Sequence, residues 1–407
     1  MSFLSDYRIY SSGNECPPTF HLFCSFVALS SVISRRVWLD MGHFVLYPNL
    51  YVILVGPPGL VKKTTAITIA KGLLYELKTI PFSGECTSKE KLVIDMAETE
   101  RQVADLPDDY AAKRTYSPLT VMASELSEFF QLSGDGMVGF LTDIFDINFP
   151  YTHKTKNKGS VIINGPYLNL LAGTTPSWMT SYLRDDIITG GFTRRCLFVY
   201  EAENACRIAL PVVTARQREA WKRLFVTSER ITHLKGPFVW DSEALKYYVN
   251  WYETRTIPVD PCTVGYYGTK YVPLLKLTML HAISEREELI IRLEDLEAAL
   301  AYLEIVEVNL PKVFEGLGRN ELAGCATRVL ELLRSVPSLE VRKPDGSTVA
   351  VKQLATKQLL SAIFRDLPTN LPDAFNKLLS HLVETNRVTR VTCQEPNGPT
   401  REYIRLL

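Results

Sequence analysis

No two of the eight cysteines stand in C-x-x-C spacing; Cys16, Cys24, Cys86, Cys196, Cys206, Cys262, Cys325 and Cys393 are scattered along the chain. That argues against a zinc site and against a disulfide framework. An excess of charge of either sign is lacking too, because 45 Lys and Arg balance 45 Asp and Glu in 407 residues. A wholly basic surface for nucleic acid is excluded, so any such contact has to be local. No run approaches the ~18 apolar residues of a membrane-spanning helix. The opening MSFLSDYRIY has no basic stretch followed by an apolar one, so no secretory leader is expected. There are no internal repeats and no low-complexity segments. What remains is the expectation of a soluble, cytoplasmic, globular protein, long enough for two or three domains.

Four segments differ in pattern. Residues 1–47 read as an N-terminal helical segment, because Phe20, Phe23, Cys24, Val27 and Ser31 recur at helical spacing. Residues 48–205 alternate apolar strands with helical stretches. LYVILVG, PLTVMASE, YLNLLAGTT and CLFVYE are the strands, and KTTAITIAKGLLYELK is a helix. CTSKEKLVIDMA starts another, with Thr87 and Glu90 at capping-box spacing. This alternation predicts an α/β domain with a parallel sheet. Residues 206–320 form a helical region, in which DSEALKYYVNWYETRT, YVPLLKLTMLHAIS and LEDLEAALAYLEIVEVNL carry the pattern. Residues 321–407 run helix, hairpin, two helices and a final hairpin about Asn-Gly, the order of a winged helix-turn-helix.

Chemistry concentrates in VGPPGLVKKTTAI, which links a strand to a helix as a phosphate-binding loop does. Such a loop aims backbone N–H groups at phosphates from a helix N-terminus, and its lysine neutralises them. The hydroxyl directly after that lysine holds Mg²⁺. Lys62 is followed by Lys63, which cannot ligate a metal; Lys63 is followed by Thr64, which can. The pair is therefore Lys63-Thr64, and the loop is one residue longer than the common G-x-x-x-x-G-K-[ST]. Val61 or Lys62 then falls near the place of the missing glycine. The expected nucleotide-binding set is Gly56, Pro57, Pro58, Gly59, Lys62, Lys63, Thr64 and Thr65. Glu125, at the end of the PLTVMASE strand, is the candidate to orient or deprotonate an attacking water. Ser124 takes the position that often holds an aspartate near the metal. Thr174 or Thr175 would reach the γ-phosphate or the water from a neighbouring strand. Arg194 and Arg195 precede a buried strand, where an arginine can stabilise transition-state charge at an adjacent subunit's site.

The ordered set resembles the helicase half of phage and plasmid primase–helicase proteins, AAA+ ATPases of the superfamily 3 and minichromosome-maintenance type. NECPPTFHLFCSFVALSSVISRRVW, LYPNLYVILVGPPGLVKKTTAI, ASELSEFF, LTDIFD, LNLLAGTTPSWM and GGFTRRCLFVY carry the resemblance, which covers about residues 11–310. It implies an AAA+ fold and ATP with Mg²⁺. Lys63 and Thr64 become Walker A, Ser124 and Glu125 Walker B, and Thr174 sensor 1. Arg195, which matches better than Arg194, becomes the arginine finger. The Lys-Lys pair and the Walker B serine depart from the family pattern. The motifs begin near residue 50, so no primase domain is expected ahead of them.

Related motors carry a DNA-contacting hairpin just before sensor 1. YTHKTKNKGSVIING occupies that interval, and Lys154, Lys156 and Lys158 alternate in it, so a strand would place all three on one face. Asn376, Lys377 and Arg390 offer a second route to DNA, although PDAFNKLLSHLVETN is not strongly basic and suits docking to a protein equally. The expectation is an oligomeric, hexameric ring that moves along or unwinds DNA, with single-stranded DNA in its pore and other replication proteins as partners, in replication of a mobile element. Two readings stand beside it: a DNA-binding initiator or scaffold with a weak nucleotide site, and a loader or remodeller acting on protein.

Overall fold

The computed structural model describes all residues except 1, 133–134, 156–158, 183–190, 205, 259–262, 315–320, 343–347, 364–370 and 395–399. The chain divides into two units, Met1–Glu315 and Gly316–Leu407.

The first unit opens with α1 (Phe3–Ser11), capped by the Ser2 side chain at the Ser5 N–H. In α2 (Pro18–Ile33) a proline stands at the first position, where a missing N–H leaves nothing unpaired. The helix buries Phe20, Phe23, Cys24, Val27 and Ser31 as their spacing predicts, and is buried on its other faces as well. Strands β1 (Val37–Asp40) and β2 (Val45–Leu46) pair antiparallel before β3 (Tyr51–Val55), all of whose residues are buried. Then come α3 (Lys63–Glu76), α4 (Lys89–Glu98), β4 (Arg101–Gln102), β5 (Thr115–Ala123), α5 (Leu126–Phe130) and α6 (Asp135–Ile144). The hairpin β6 (Tyr151–Thr155) and β7 (Gly159–Ile163) leads into β8 (Pro166–Thr174), α7 (Pro176–Tyr182) and β9 (Cys196–Tyr200).

The central sheet has the order β4–β5–β8–β3–β9. Strands β5, β8, β3 and β9 run parallel, and β4 is an antiparallel edge. Near-continuous burial of β3, β5 and β8 is what parallel strands covered on both faces require. The polar centre of this core is satisfied internally. Ser30 Oγ lies 2.7 Å from both Pro48 O and Asn169 Oδ1, and Asn169 Oδ1 also accepts the Leu50 N–H at 2.9 Å. These bonds fix α2 against β8 and the entry to β3.

The helical region belongs to the same unit. Helices Ser242–Thr254, Tyr271–Arg286 and Leu293–Val313 lie where the pattern predicts them. Two helices of the region escaped it, Val264–Thr269 and Ala215–Ile231; α1 and Ala215–Ile231 pack on each other. Their seam holds a buried carboxylate, Asp6, gripped by Arg223 through Nε at 3.1 and 3.0 Å and Nη2 at 2.6 Å. A second correction is local: α4 is capped by Ser88, whose side chain accepts the Lys91 N–H, and Thr87 is buried one residue earlier.

The second unit contains helix Glu321–Ser335, the antiparallel pair Leu339–Arg342 and Thr348–Val351, helices Thr356–Ile363 and Leu371–Glu384, and strands Val388–Gln394 and Thr400–Leu406. A strand the pattern did not show, Gln353–Ala355, pairs with Thr400–Leu406, so that last strand lies in the middle of a three-stranded sheet. Val329, Leu359, Phe375, Leu378 and Ile404 are among the residues of its own core.

Candidate nucleotide site at the C-terminal edge of the sheet

Parallel register brings the ends of β3, β8 and β5 to one edge. Val55 pairs with Thr174 and Ala123 with Ala172. The Gly56 N–H donates to Thr174 O at 3.3 Å. A Cβ on Gly56 would lie 2.5 Å from Glu201 O and 2.6 Å from Val61 Cγ2, so no other residue fits there. Gly59 takes a φ of +75°. Val61 is fully buried and fills the space beside Gly56. The backbone freedom a glycine would supply before the lysine is taken over by Lys62, at φ 50° and ψ 38°. For a residue with a Cβ that conformation costs roughly 1–2 kcal/mol.

Lys62 is also the cap residue of α3, which has no side-chain cap and no acidic residue in its first turn. Its first N–H groups and the positive end of its dipole are thus left for an anion. Lys63 is buried. Its Nζ donates to Gly56 O at 2.7 Å and lies 3.5 Å from Pro57 O. Burial lowers its ammonium below the usual lysine range, and the nearby Glu125 charge pulls it back. Thr64 and Thr65 are exposed at the start of α3. Lys62 is exposed and pairs with Glu15 at 3.5 Å.

Glu125 is exposed and caps α5, while Ser124 is half-buried at the end of β5. β8 lies between β5 and β3, so Glu125 approaches the loop across one intervening strand. Gly173 makes that possible. A Cβ there would stand 2.6 Å from Ser124 O and 3.6 Å from Lys63 Cβ. Sequence reasoning passed over Gly173, although a glycine one residue before a strand-end threonine is a legible sign of close approach. Thr174 is buried in the strand, whereas Thr175 Oγ1 accepts the Trp178 N–H at 3.3 Å and serves α7.

The arginines lie at the opposite edge. Arg195 precedes Cys196, which pairs with Tyr51 at the start of β3. Its Nη1 donates to Gly191 O at 2.8 Å, and its buried Nε has no partner. Burial lowers its pKa, and the Asp146 charge opposes that shift. Arg194 is exposed. Asp146, the last residue of LTDIFD, lies 3.0 Å from the fully buried Lys276 Nζ; Asn49 Oδ1 takes the same ammonium at 2.8 Å, and the Phe145 ring covers it at 3.7 Å.

β6 and β7 pair from Tyr151–Ile163 to Thr155–Gly159, so the expected hairpin is present and Lys154 is exposed on it. Lys156 and Lys158 lie outside the described residues. In the second unit Asn376 is exposed and Arg390 pairs with Glu402 at 3.5 Å; nothing is described of the Lys377 side chain.

The chemistry suits a nucleotide with Mg²⁺: uncapped N–H donors, a buried ammonium that feels the Glu125 charge, and an exposed hydroxyl on the next residue. Among the described residues no group of three or more His, Cys, Asp or Glu is placed to hold a metal ion. No described helix is long and apolar enough to cross a membrane. No protein-family model and no curated protein matches the chain.

Proposed function

We propose that the chain is a cytoplasmic AAA+ ATPase that assembles as a hexameric ring and moves along or unwinds DNA in replication of a phage or other mobile element. The observation that carries this reading is the placement of Lys63: its ammonium is held inside the loop at Gly56 O, with the Glu125 charge beside it. Lys63 and the N–H groups at the start of α3 bind the β and γ phosphates of ATP. Thr64, with Ser124 across the edge, holds Mg²⁺, which supplies neutralisation of phosphate charge when bound. Glu125 accepts the proton of the attacking water, and Thr174 stands on the strand next to the loop. The strand order supports the AAA+ assignment, because the strand bearing Thr174 separates the loop strand from the Glu125 strand. In the second unit three helices precede the final hairpin and an extra strand joins its sheet, which supports a winged helix.

DNA contact falls to the β6–β7 hairpin, where Lys154, Lys156 and Lys158 offer phosphate contacts to single-stranded DNA in the pore. The test is steady-state ATP hydrolysis with and without single-stranded DNA. The expected result is turnover that DNA stimulates. DNA binding should weaken with log salt at a slope of roughly −0.7 per phosphate neutralised, and alanine at all three lysines should flatten that slope. DNA binding without any ATP turnover would replace this reading with that of an initiator or scaffold. Turnover indifferent to DNA would point to a remodeller of proteins.

A further inference from the structure

Two exposed apolar surfaces lie at opposite ends of the central sheet. The first follows β9 on the side of the loop, where the Glu201 N–H donates to Val55 O at 3.0 Å. The stretch RIALPVVT, residues 207–214, then crosses the surface without helix or strand, and Leu210, Val212 and Val213 are 80, 68 and 46% exposed. It is anchored at both ends. The Ile208 N–H donates to Glu15 Oε1 at 3.0 Å, and Glu15 Oε2 meets Lys62 Nζ of the loop at 3.5 Å. Thr214 caps helix Ala215–Ile231. Pro211 fixes its own φ and pushes Leu210 toward an extended conformation. The apolar side chains are thus held out beside the loop on a stiffened, tethered segment.

The second surface is an open groove of about 310 Å³ whose lining includes Phe44, Tyr248, Val249, Tyr252, Glu253 and Tyr271. Its walls are set in advance: Tyr252 and Tyr271 meet edge to face at 5.6 Å, and the Arg255 guanidinium lies 4.1 Å over the Tyr252 ring. The groove belongs to the end of the sheet that carries the arginines. Lys276, in the same helix as Tyr271, is bound by Asn49 two residues ahead of β3. Helix Val264–Thr269, which leads into Tyr271, packs on the turn Thr193–Arg195, and a Cβ on Gly265 would lie 3.9 Å from Arg194 Cβ.

Both surfaces are exposed, so neither covers the other within one chain. Two different patches on one chain are what a heterologous contact uses, and such a contact repeats head to tail until it closes into a ring. The chemistry of the two patches matches. An extended segment stiffened by proline loses little freedom on docking in an aromatic-lined groove. Glu253 gives the groove a negative charge, and the segment begins with the exposed Arg207. Copies with no net charge do not repel one another. The segment is tied to the loop through Glu15, and the groove to Arg194 through Val264–Thr269. Seating one in the other therefore carries Arg194 of one copy toward the loop of the next.

We propose that residues 208–213 of one copy dock in the Tyr248–Tyr252–Tyr271 groove of the next. The proposal rests on the ring in the function proposed above and names its contact.

The experiment is sedimentation of the full chain with Mg-ATP. Leu210→Glu and Val212→Glu alter the segment; Val249→Glu and Phe44→Glu alter the groove from two different elements. All four positions are exposed, so thermal midpoints should stay near wild type. Expected are a closed oligomer for wild type and a monomer for each variant. An equimolar mixture of a segment variant with a groove variant should give a dimer and nothing larger, because it retains one intact segment and one intact groove. That dimer has one completed ATP site, and adding Arg194→Ala to its segment variant should cut turnover about tenfold or more. Variants that still assemble like wild type overturn the contact and leave the ring standing. Monomeric variants whose mixtures stay monomeric overturn it too, since a heterologous contact must reform. A monomeric wild type overturns both contact and ring. Turnover unmoved by Arg194→Ala overturns the delivery of Arg194. A mixed dimer without ATP turnover counts against the ATPase reading and upholds the contact.

Discussion

Lys63 Nζ and the Gly56 carbonyl oxygen stand 2.7 Å apart, across the turn between β3 and α3 that we propose holds phosphate. The neighbouring Lys62 makes the opposite choice and pairs with Glu15 at 3.5 Å. Lys63→Ala should therefore abolish Mg-ATP binding. Lys62→Gly should leave affinity unchanged or tighter, because glycine takes φ 50° without strain and only an exposed ion pair is lost. The measurement is Mg-ATP affinity of both variants by titration. Loss of binding in Lys62→Gly would reverse the register of the loop.

How far the sequence revealed this arrangement depended on what each feature rests on. The buried strands were legible because parallel strands covered on both faces are near-continuously apolar, and Tyr51–Val55, Cys196–Tyr200 and, but for Asn169 and Thr174, Pro166–Thr174 are. The choice of Lys63 over Lys62 rested on metal chemistry, which puts a hydroxyl next to the lysine. Helix Ala215–Ile231 was not, since ARQREAWKRLFVTSERI is charged on most of its surface and its docking depends on Asp6, 217 residues away from Arg223. Val61 shows a third case: a loop position that looks like a defect against the common pattern is a packing residue, with the left-handed turn moved one place on to Lys62.

Gly173 sets the spacing between the ends of β5 and β8 beside the loop. Alanine there would bring Cβ to 2.6 Å from Ser124 O, backbone against side chain, so the ends of β5 and β8 must separate. Overpacking of this kind costs about 1–3 kcal/mol. Gly173→Ala should lower the thermal midpoint and cut phosphate release more than it weakens Mg-ATP binding, because the displaced strand end carries Glu125. A variant with wild-type stability and turnover would show that the edge has slack.

Asp146 is a structural partner, not a chemical one. It neutralises the fully buried Lys276 together with Asn49 Oδ1. Asp146→Ala should destabilise the first unit by about 3 kcal/mol or more, because a buried ammonium loses its counter-charge. Lys276→Met should cost far less, since the thioether fills the same space against Phe145 without a charge. Combining the two should recover most of the stability lost in Asp146→Ala. Chemical denaturation of the three variants reads the cycle, and strict additivity would deny the pairing.

The arginines decide whether one subunit completes another's site. β3 separates the two edges: Cys196 pairs with Tyr51, while the loop leaves the strand after Val55, about 13 Å further on at ~3.3 Å per residue. Neither Arg194 nor Arg195 is placed at its own loop, so in the proposed ring either would act only on a neighbour. The family resemblance assigns the finger to Arg195, but Arg195 is half-buried and tied to Gly191 O, whereas Arg194 is exposed on the same turn. Arg194→Ala should therefore slow hydrolysis by a factor of 10³ or so, with nucleotide binding nearly intact. Arg195→Ala should act first on stability. Wild-type turnover should rise steeply with protein concentration. Mixing Arg194→Ala with Lys63→Ala subunits should restore activity at interfaces that pair an intact loop with an intact finger. If subunit exchange is demonstrated and no activity returns, the arginine does not act across an interface. If Arg195→Ala is the variant that stays folded and loses turnover, the finger is Arg195, and the bond to Gly191 O is one it gives up on assembly.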